Sequence, residues 1–168
     1  MRFLMLSANV FFGTSFGLAQ NVDYIFNKAE KEFVSGNYKE ASVFYTQVIA
    51  SDAENVNAYL RRGFCYSVQK KYNKAIEDFS HVIELHNTHS FAYISRGSAY
   101  NKIDDYNSAL ADFDQAISLD PKNQEAYNNR GWAKTGLGLP KEACADWKKS
   151  RKLGNEEAKL ILKNNHCK

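Results

Sequence analysis

Apolar residues recur along most of the chain at the spacing of a single helix face. Two such stripes follow one another at i, i+4, i+7 spacing, formed by Tyr59, Gly63 and Tyr66 and then by Ala75, Phe79 and Val82. The short segment Lys70-Lys71-Tyr72 separates them. The pattern predicts two amphipathic helices joined by a tight turn.

This helix pair recurs with a constant period. Gly63, Gly97 and Gly131 are separated by 34 residues each time. The same step relates Tyr59, Tyr93 and Tyr127; Arg62, Arg96 and Arg130; Ala75, Ala109 and Ala143; Asp78, Asp112 and Asp146; and Phe79, Phe113 and Trp147. A weaker first copy has Ala29 at the glycine position, so that four copies span residues 22–55, 56–89, 90–123 and 124–155. Because one helix pair cannot bury both of its apolar faces, we expect the copies to stack into a short solenoid.

The repeated glycine falls in the middle of the first helix of each pair. Glycine costs about 0.5–1 kcal/mol relative to alanine in such a position. This cost predicts that another backbone approaches closely there. The matching flat surface on the second helix is predicted at Ala75, Ala109 and Ala143.

The repeated motif resembles the tetratricopeptide repeat, which has aromatic-x-x-x-Gly-x-x-Tyr in its first helix and Ala-x-x-x-aromatic in its second. Three copies keep this phase without a gap, and Asp120-Pro121 ends the third. The first copy departs from the motif with Lys28-Ala29, and the fourth has Lys134 in place of the tyrosine. The resemblance implies an all-α fold, a right-handed α-solenoid of four helix-turn-helix repeats. Residues 156–168 are expected to form a C-terminal capping helix that covers the last repeat with Ala158, Ile161 and Leu162.

A charged pair interrupts the apolar stripes at the same place in three copies. Arg96 and Asp112 both lie eight residues from the turn near Asp104, so an antiparallel hairpin should bring them face to face. The same arithmetic pairs Arg62 with Asp78 and Arg130 with Asp146. The first copy lacks both partners and has Lys28 and Phe44 instead. A catalytic constellation occurs once per active site, so pairs repeated at the structural period are predicted to be structural ion pairs.

The resemblance also implies where a ligand binds, because in this family the first helices of successive repeats line a concave groove that holds a protein segment. The groove-facing side chains are expected off the glycine stripe, at Phe26, Glu30, Phe33, Leu60, Phe64, Val68, Phe91, Ile94, Ser98, Asn101, Asn128, Trp132 and Thr135. Several large apolar groups on a surface that internal packing does not need predict a binding patch. The alternative is that the short stack, or the N-terminal segment, buries these groups.

One subclass of the family grips the C-terminal carboxylate of heat-shock chaperones with a clamp of Lys, Asn and Arg. The corresponding positions here carry Phe26, Glu30, Arg61, Phe91 and Ser95, so this clamp is not predicted. Glu30 is expected to repel a carboxylate. The predicted partner is therefore a protein segment with apolar or aromatic side chains, either an extended peptide or an amphipathic helix.

The first residues differ from the rest of the chain. Arg2 precedes a mostly apolar run through Phe12, and small residues follow up to Gly17-Leu18-Ala19. These are the parts of a secretory signal peptide, so residues 1–19 are predicted to be cleaved after Ala19. The alternatives are an uncleaved anchor and an ordinary N-terminal helix. No other segment is apolar enough to cross a membrane, and we expect a mature chain exported to the periplasm or the extracellular space. The formal net charge is +3, and the lysines and arginines are interleaved with acidic residues rather than clustered. This gives no reason to expect nucleic-acid binding.

The three cysteines lack the spacing of a zinc site or of a redox pair. Cys144 lies 10 residues before the turn at Gly154 and Cys167 lies 13 residues after it, so a contact across the turn is feasible. Because an oxidising compartment permits disulfides, a Cys144–Cys167 disulfide is predicted, which would hold the capping helix to the last repeat. Cys65 is expected to be a small buried residue. His86 and His89 are interpreted as loop histidines rather than a metal pair. No metal site, no cofactor and no catalytic motif are predicted.

The sequence thus predicts a non-catalytic interaction module that binds another protein in its concave groove, within a cell-envelope assembly. The first alternative is a self-associating structural solenoid whose groove serves its own oligomerisation. The second is an enzyme or a small-molecule binder, which would require a deep pocket that the sequence does not indicate.

Overall fold

The computed structural model describes the backbone of residues 12–164 and of Cys167, and side chains from residue 21 onward. This part of the chain folds into nine helices and no strand: α1 (Phe12–Val34), α2 (Tyr38–Ser51), α3 (Val56–Val68), α4 (Tyr72–Leu85), α5 (Ser90–Lys102), α6 (Tyr106–Leu119), α7 (Gln124–Gly136), α8 (Pro140–Lys152) and α9 (Glu157–Asn164). The predicted all-α fold is confirmed. The predicted signal peptide lies partly outside the described residues, and its cleavage point after Ala19 falls within α1.

The helices pack in chain order as a stack of hairpins. Each odd-numbered helix from α1 to α7 contacts the next even-numbered one, and each even-numbered helix contacts the following hairpin. The odd-numbered helices also contact one another, α3 with α5 and α5 with α7. This arrangement places the first helices on the inner, concave side of the stack.

A polar residue at a constant position begins the first helix of successive repeats. The side chains of Asn55, His89 and Asn123 accept hydrogen bonds from the backbone N–H of Ala58, Ala92 and Ala126. Asn155 does the same for Ala158 at the start of the capping helix. These caps satisfy an N–H group that has no partner within its helix, and they fix where each hairpin begins.

The turn inside each hairpin also has a constant geometry. The residue at its centre has a positive φ in all four repeats: Gly36 (79°), Lys70 (59°), Asp104 (61°) and Gly138 (75°). The following N–H bonds to a carbonyl five residues earlier, as Lys71 does to Tyr66 at 2.8 Å. This is the Schellman ending of a helix, which favours glycine at the left-handed position. The two inner repeats place lysine and aspartate there instead.

The repeated glycines accommodate a ring rather than a backbone, which corrects the expectation from sequence. A Cβ atom on Gly63 would lie 2.7 Å from Cε1 of Phe79, and one on Gly97 would lie 2.9 Å from Cε1 of Phe113. Trp147 covers Gly131 in the same way. The constant spacing within the repeats therefore places the aromatic ring of the second helix directly against the first helix.

The C-terminal end of the stack is closed by α9. Ala158, Ile161 and Leu162 are buried on its inner face, and the latter two form one apolar cluster with Ala143 and Trp147. A disulfide joins Cys144 of α8 to Cys167 beyond α9, with their Cα atoms 5.5 Å apart. Cys65 is a free, buried cysteine in α3.

Candidate functional site

The repeated charged pairs are internal ties within each hairpin. Arg96 donates from Nε and Nη2 to the two carboxylate oxygens of Asp112, at 2.8 and 2.7 Å. The same bidentate geometry joins Arg62 to Asp78 and Arg130 to Asp146. The three aspartates are buried. The hydrogen bonds that Arg96 and Arg130 donate to Asp112 and Asp146 raise the pKa of both guanidinium groups, so both remain charged.

Each arginine also reaches the preceding repeat, which the sequence reasoning missed. The third nitrogen, Nη1, donates to Thr46 from Arg62 at 3.1 Å, to Ser80 from Arg96 at 3.0 Å, and to Asp114 from Arg130 at 2.6 Å. Thr46, Ser80 and Asp114 recur at the 34-residue period, and this signal was available in the sequence. One side chain thus ties two hairpins together.

The first and fourth repeats differ from the others at this ion pair, and the differences explain their departures from the motif. Lys134, which replaces a tyrosine, places Nζ 2.8 Å from Oδ2 of Asp146 and adds a second cation to that pair. In the first repeat, Lys28 lies with Nζ 4.5 Å from the centre of the Phe44 ring. A cation–π contact therefore stands where the other repeats have an ion pair.

An apolar cavity opens on the concave side between α1, α3 and α5. It measures about 460 Å³ and is lined by Phe33, Asn57, Leu60, Arg61, Phe64 and Phe91. The rings of Phe33 and Phe64 lie 5.3 Å apart. Phe64 is 41% exposed and Phe91 is 52% exposed. These rings form an apolar surface that the stack leaves open to solvent.

Glu30 lies beside this cavity, but its charge is compensated. Tyr45 donates its hydroxyl hydrogen to Glu30, and Nε of Arg61 lies 3.3 Å from the same carboxylate. Burial and the hydrogen bond to Glu30 raise the pKa of Tyr45 well above its ordinary value. The guanidinium of Arg61 also lies 4.7 Å from the centre of the Phe33 ring. The repulsion of a carboxylate that was expected from Glu30 is therefore offset by Arg61.

A more polar cavity of about 360 Å³ follows along the same side, between α5 and α7. It is lined by Ser98, Asn101, Lys102, Tyr106, Asn129, Trp132, Thr135 and Gly136. Asn101 donates from Nδ2 to the carbonyl of Asn129 at 3.1 Å, and Asn129 donates from Nδ2 to Ser98 at 3.2 Å. Trp132 is 44% exposed and rests edge-on against the buried Trp147, with ring centres 5.1 Å apart.

Apart from Glu30, described above, the structure divides the predicted groove residues into three groups. Phe33, Leu60, Phe64, Phe91, Ser98, Asn101, Trp132 and Thr135 line the two cavities. Phe26 packs edge-on against Tyr45, with ring centres 5.8 Å apart, and Val68 is exposed on α3. Ile94 and Asn128 were expected in the groove wrongly, because the structure buries both.

These two residues are buried because α5 and α7 turn them toward neighbouring helices. Ile94 is 2% exposed and belongs to the core cluster that contains Phe113 and Ala126. The backbone carbonyl of Asn128 accepts the indole N–H of Trp147 at 3.1 Å. The cavity residues that the sequence reasoning missed are Asn57, Lys102, Tyr106, Asn129 and Gly136, whereas Arg61 was named at a clamp position only.

Within the described residues, no group of three or more His, Cys, Asp or Glu is placed to hold a metal ion. His89 accepts a hydrogen bond from the backbone N–H of Ala92 through Nδ1, as the cap of α5. His86 follows the last residue of α4. Among the helices of the described part, none has both the length and the apolar character needed to cross a membrane.

Comparisons with known proteins agree with this architecture. The family model of the tetratricopeptide repeat matches residues 56–89 and 90–123, which are the second and third predicted copies. No curated protein sequence matches the chain significantly.

Several solved structures share the fold. A crystal structure of MamA superposes with a TM-score of 0.76 over 83% of this chain and 81% of that one, at 24% identity. The tetratricopeptide domain of Arabidopsis OM64 superposes with a TM-score of 0.65 over 67% of this chain and 95% of that one, at 29% identity. The first such domain of Spaghetti (RPAP3), bound to the HSP90 peptide SRMEEVD, gives 0.68 over 71% and 94%, at 28% identity.

Proposed function

This chain belongs to the tetratricopeptide repeat family, and from that premise we propose that it is a non-catalytic module that binds a segment of another protein in its concave groove. The observation that carries the proposal is the row of uncovered aromatic side chains on the first helices. Phe64, Phe91 and Trp132 are each between 41% and 52% exposed, and their exposed surface is not used in packing within the stack. Exposed apolar groups gathered on one concave face mark an interaction site.

A relative supports this use of the groove. The structure of RPAP3 holds a peptide of HSP90. The present chain lacks a carboxylate clamp, since it has Phe26, Glu30 and Phe91 at the corresponding positions. Its ligand is therefore selected by apolar contact rather than by a terminal carboxylate.

The repeated charges argue against a catalytic role for the most conspicuous ionic residues. Arg62, Arg96 and Arg130 each use three nitrogens in hydrogen bonds within the stack. Groups held in this way are fixed to the frame and are turned away from the two groove cavities. They contribute rigidity to the groove, which lowers the entropic cost of binding a partner.

The first alternative is a self-associating solenoid. The exposed face of the first repeat argues against self-association by end-to-end stacking. In later repeats the face that meets the preceding hairpin is closed by small, buried residues: Ala58, Ala92 and Ala126, and Cys65, Ala99 and Ala133. The corresponding positions of the first repeat are Tyr24, which is 68% exposed, and Lys31. A large ring and a charge cannot occupy the space of two small side chains. Concentration-dependent light scattering distinguishes a monomeric module from an oligomer.

The proposal includes export, with cleavage after Ala19, and a role in a cell-envelope assembly. It rests on the apolar N-terminal run and on the Cys144–Cys167 disulfide, which is typical of an oxidising compartment. Expression of the full chain in a Gram-negative host should give a periplasmic product whose measured mass corresponds to a chain that begins at Gln20. A cytosolic product of full mass would contradict export.

The binding function is tested by selecting peptides from a random displayed library on the purified chain. Selected peptides should lose affinity for the Phe64→Ala and Trp132→Ala variants and keep it for Leu160→Ala, since Leu160 is exposed on α9, away from the groove. Crosslinking in the native envelope, with the same three variants, then identifies the partner. Selection that yields no binder, or binders indifferent to both groove variants, would overturn the proposal.

A further inference from the structure

We propose that the outer face of α8 is a docking surface for a lipid bilayer that contains anionic lipids. Five exposed basic side chains form this basic face: Lys141, Lys148, Lys149, Arg151 and Lys152. Because α8 is a second helix, it lies on the convex side of the stack, opposite the groove. A chain held on a membrane through α8 therefore keeps its groove open to a protein partner.

The basic side chains lie on the side of α8 that faces away from the stack. Trp147 and Ser150 are buried on the inner side of this helix. Lys141, Lys148 and Lys152 follow one another at the spacing of a single helix face and are exposed. They extend over about 16 Å along the helix axis. No large apolar side chain of α8 is exposed, so this face attracts a partner by charge.

The repeat architecture does not require these charges. Five lysines and arginines occur in α8, whereas α2 and α4 have one each and α6 has none. At the positions equivalent to the basic face, α6 has Asn107, Asp114, Gln115, Ile117 and Ser118. The interleaving of basic and acidic residues that was expected for the whole chain therefore fails at α8, where Glu142 is the one exposed acid.

The helix dipole accounts for part of this cluster only. Basic side chains are favourable at the C-terminal end of a helix, and Lys149, Arg151 and Lys152 lie in the last turn of α8. Lys141 lies near the N-terminal end, where the dipole disfavours a cation. Lys148 and Lys152 are four residues apart, and like charges at this spacing destabilise a helix. An anionic partner outside the stack would relieve both of these unfavourable interactions.

Charge complementarity favours a broad anionic surface over a discrete anionic segment. None of the five basic residues lines either groove cavity, and four of them are lysines, which act as point charges and lack the bidentate fork of arginine. The aromatic residue of α8, Trp147, is buried and cannot stack with a nucleic-acid base. Clusters of about four to eight basic residues on a helix are typical of sites that bind anionic lipids.

The test is co-sedimentation of the purified chain with vesicles of phosphatidylcholine alone, or of phosphatidylcholine and phosphatidylglycerol in equal amounts. At about 0.1 M salt the chain should sediment with the anionic vesicles only. At about 1 M salt it should be released, because the Debye length falls from about 10 Å to about 3 Å. Equal binding to both kinds of vesicle, or no binding to the anionic ones, would overturn the proposal.

Competition distinguishes a bilayer from other polyanions. The chain should stay on the anionic vesicles when polyglutamate or duplex DNA is added at the same concentration of negative charge. Release by polyglutamate would identify the partner as an acidic protein, and release by DNA would identify it as a nucleic acid. Either result would overturn the proposal.

Charge variants of α8 test the assigned contact. The triple variant Lys141→Gln, Lys149→Gln and Lys152→Gln should bind the anionic vesicles about a hundredfold more weakly, at about fivefold for each charge. Arginine at the same three positions should preserve binding. Loss of binding in the arginine variant would overturn the proposal, because the charge is unchanged.

The matched control removes three exposed lysines from the first three repeats, as Lys39→Gln, Lys70→Gln and Lys122→Gln. It has the same net charge as the glutamine variant of α8 and should bind almost as the wild type does. Equal losses in the two variants would show that net charge, rather than the basic face, attracts the bilayer, and would overturn the proposal. Peptides selected on the groove should bind the α8 variant unchanged, so failure of vesicle binding leaves the proposed function standing.

Discussion

Arg96 grips both carboxylate oxygens of Asp112, at 2.8 and 2.7 Å, and reaches Ser80 of the preceding hairpin with its remaining terminal nitrogen at 3.0 Å. The two partners of the pair lie on opposite helices of one hairpin, 16 residues apart in sequence. One planar guanidinium therefore fixes both the closure of a hairpin and its position on the one before. Lysine could not make all three contacts with this geometry.

Removing the carboxylate of this pair should destabilise the fold strongly. Asp112→Ala leaves a half-buried guanidinium without its partner, and a change of this kind costs about 3–5 kcal/mol in the free energy of unfolding. The measurement is chemical denaturation followed by circular dichroism. The double variant Arg96→Met with Asp112→Leu should recover much of the loss, because both charges are replaced by apolar groups. Wild-type stability of the single variant would show that the pair contributes nothing.

Replacing the turn residue Lys70 by glycine should increase the stability of the protein. Its φ of 59° lies in the left-handed region, where a side chain costs about 1–2 kcal/mol, and the equivalent residues of the outer repeats are glycines. Lys70→Gly should therefore stabilise the protein by about 0.5–1 kcal/mol after the extra entropy of glycine is subtracted. Glu77→Gly is the contrasting control, since Glu77 is exposed in the interior of α4, where glycine should lower the stability. Denaturation midpoints that fall for both variants would contradict this account.

The sequence predicts the frame of this protein better than its surface, for a physical reason. The pairing of Arg96 with Asp112 follows from a repeat and a turn, because internal packing must be the same in every copy. The groove is different in each copy, and exposure there depends on the neighbouring hairpin. Ile94 was expected in the groove for this reason and is buried, whereas Asn129 lines a cavity and was not expected among the groove residues. Predicting that the ring of Phe113 covers Gly97 likewise requires the distance between the two helices, which the pattern of residues does not give.

Cys65 links stability to alkaline pH. Burial raises the pKa of its thiol to about 12, whereas an unfolded thiol titrates near 8.5. The folded state thus keeps the proton that the unfolded state releases, and the stability contributed by this group is lost as the pH rises from about 9 to 12. The stability of Cys65→Ala should fall less steeply over that window than that of the wild type. Parallel curves would contradict the assignment.

The same burial should keep the Cys65 thiol unreactive in the folded protein, because the thiolate is the nucleophile. Iodoacetamide at neutral pH is expected to modify one cysteine per chain in denaturant without reductant, and none in buffer. The other two cysteines are held in the disulfide. Rapid modification in buffer would show that α3 opens readily at this position.

The disulfide between Cys144 and Cys167 should stabilise the C-terminal end of the stack more than the rest. It closes a loop across 23 residues, for which the chain-entropy relation gives about 3 kcal/mol. It also holds Ile161 and Leu162 over Trp147, so that its loss should expose that ring to water. Reduction is expected to lower the melting temperature and to shift the tryptophan emission to longer wavelength at temperatures below the main transition. The variant Cys144→Ser with Cys167→Ser should show the same melt with or without reductant, whereas Cys65→Ser should keep the response. A wild-type melt that reductant leaves unchanged would mean that packing of α9, rather than the covalent link, closes the stack.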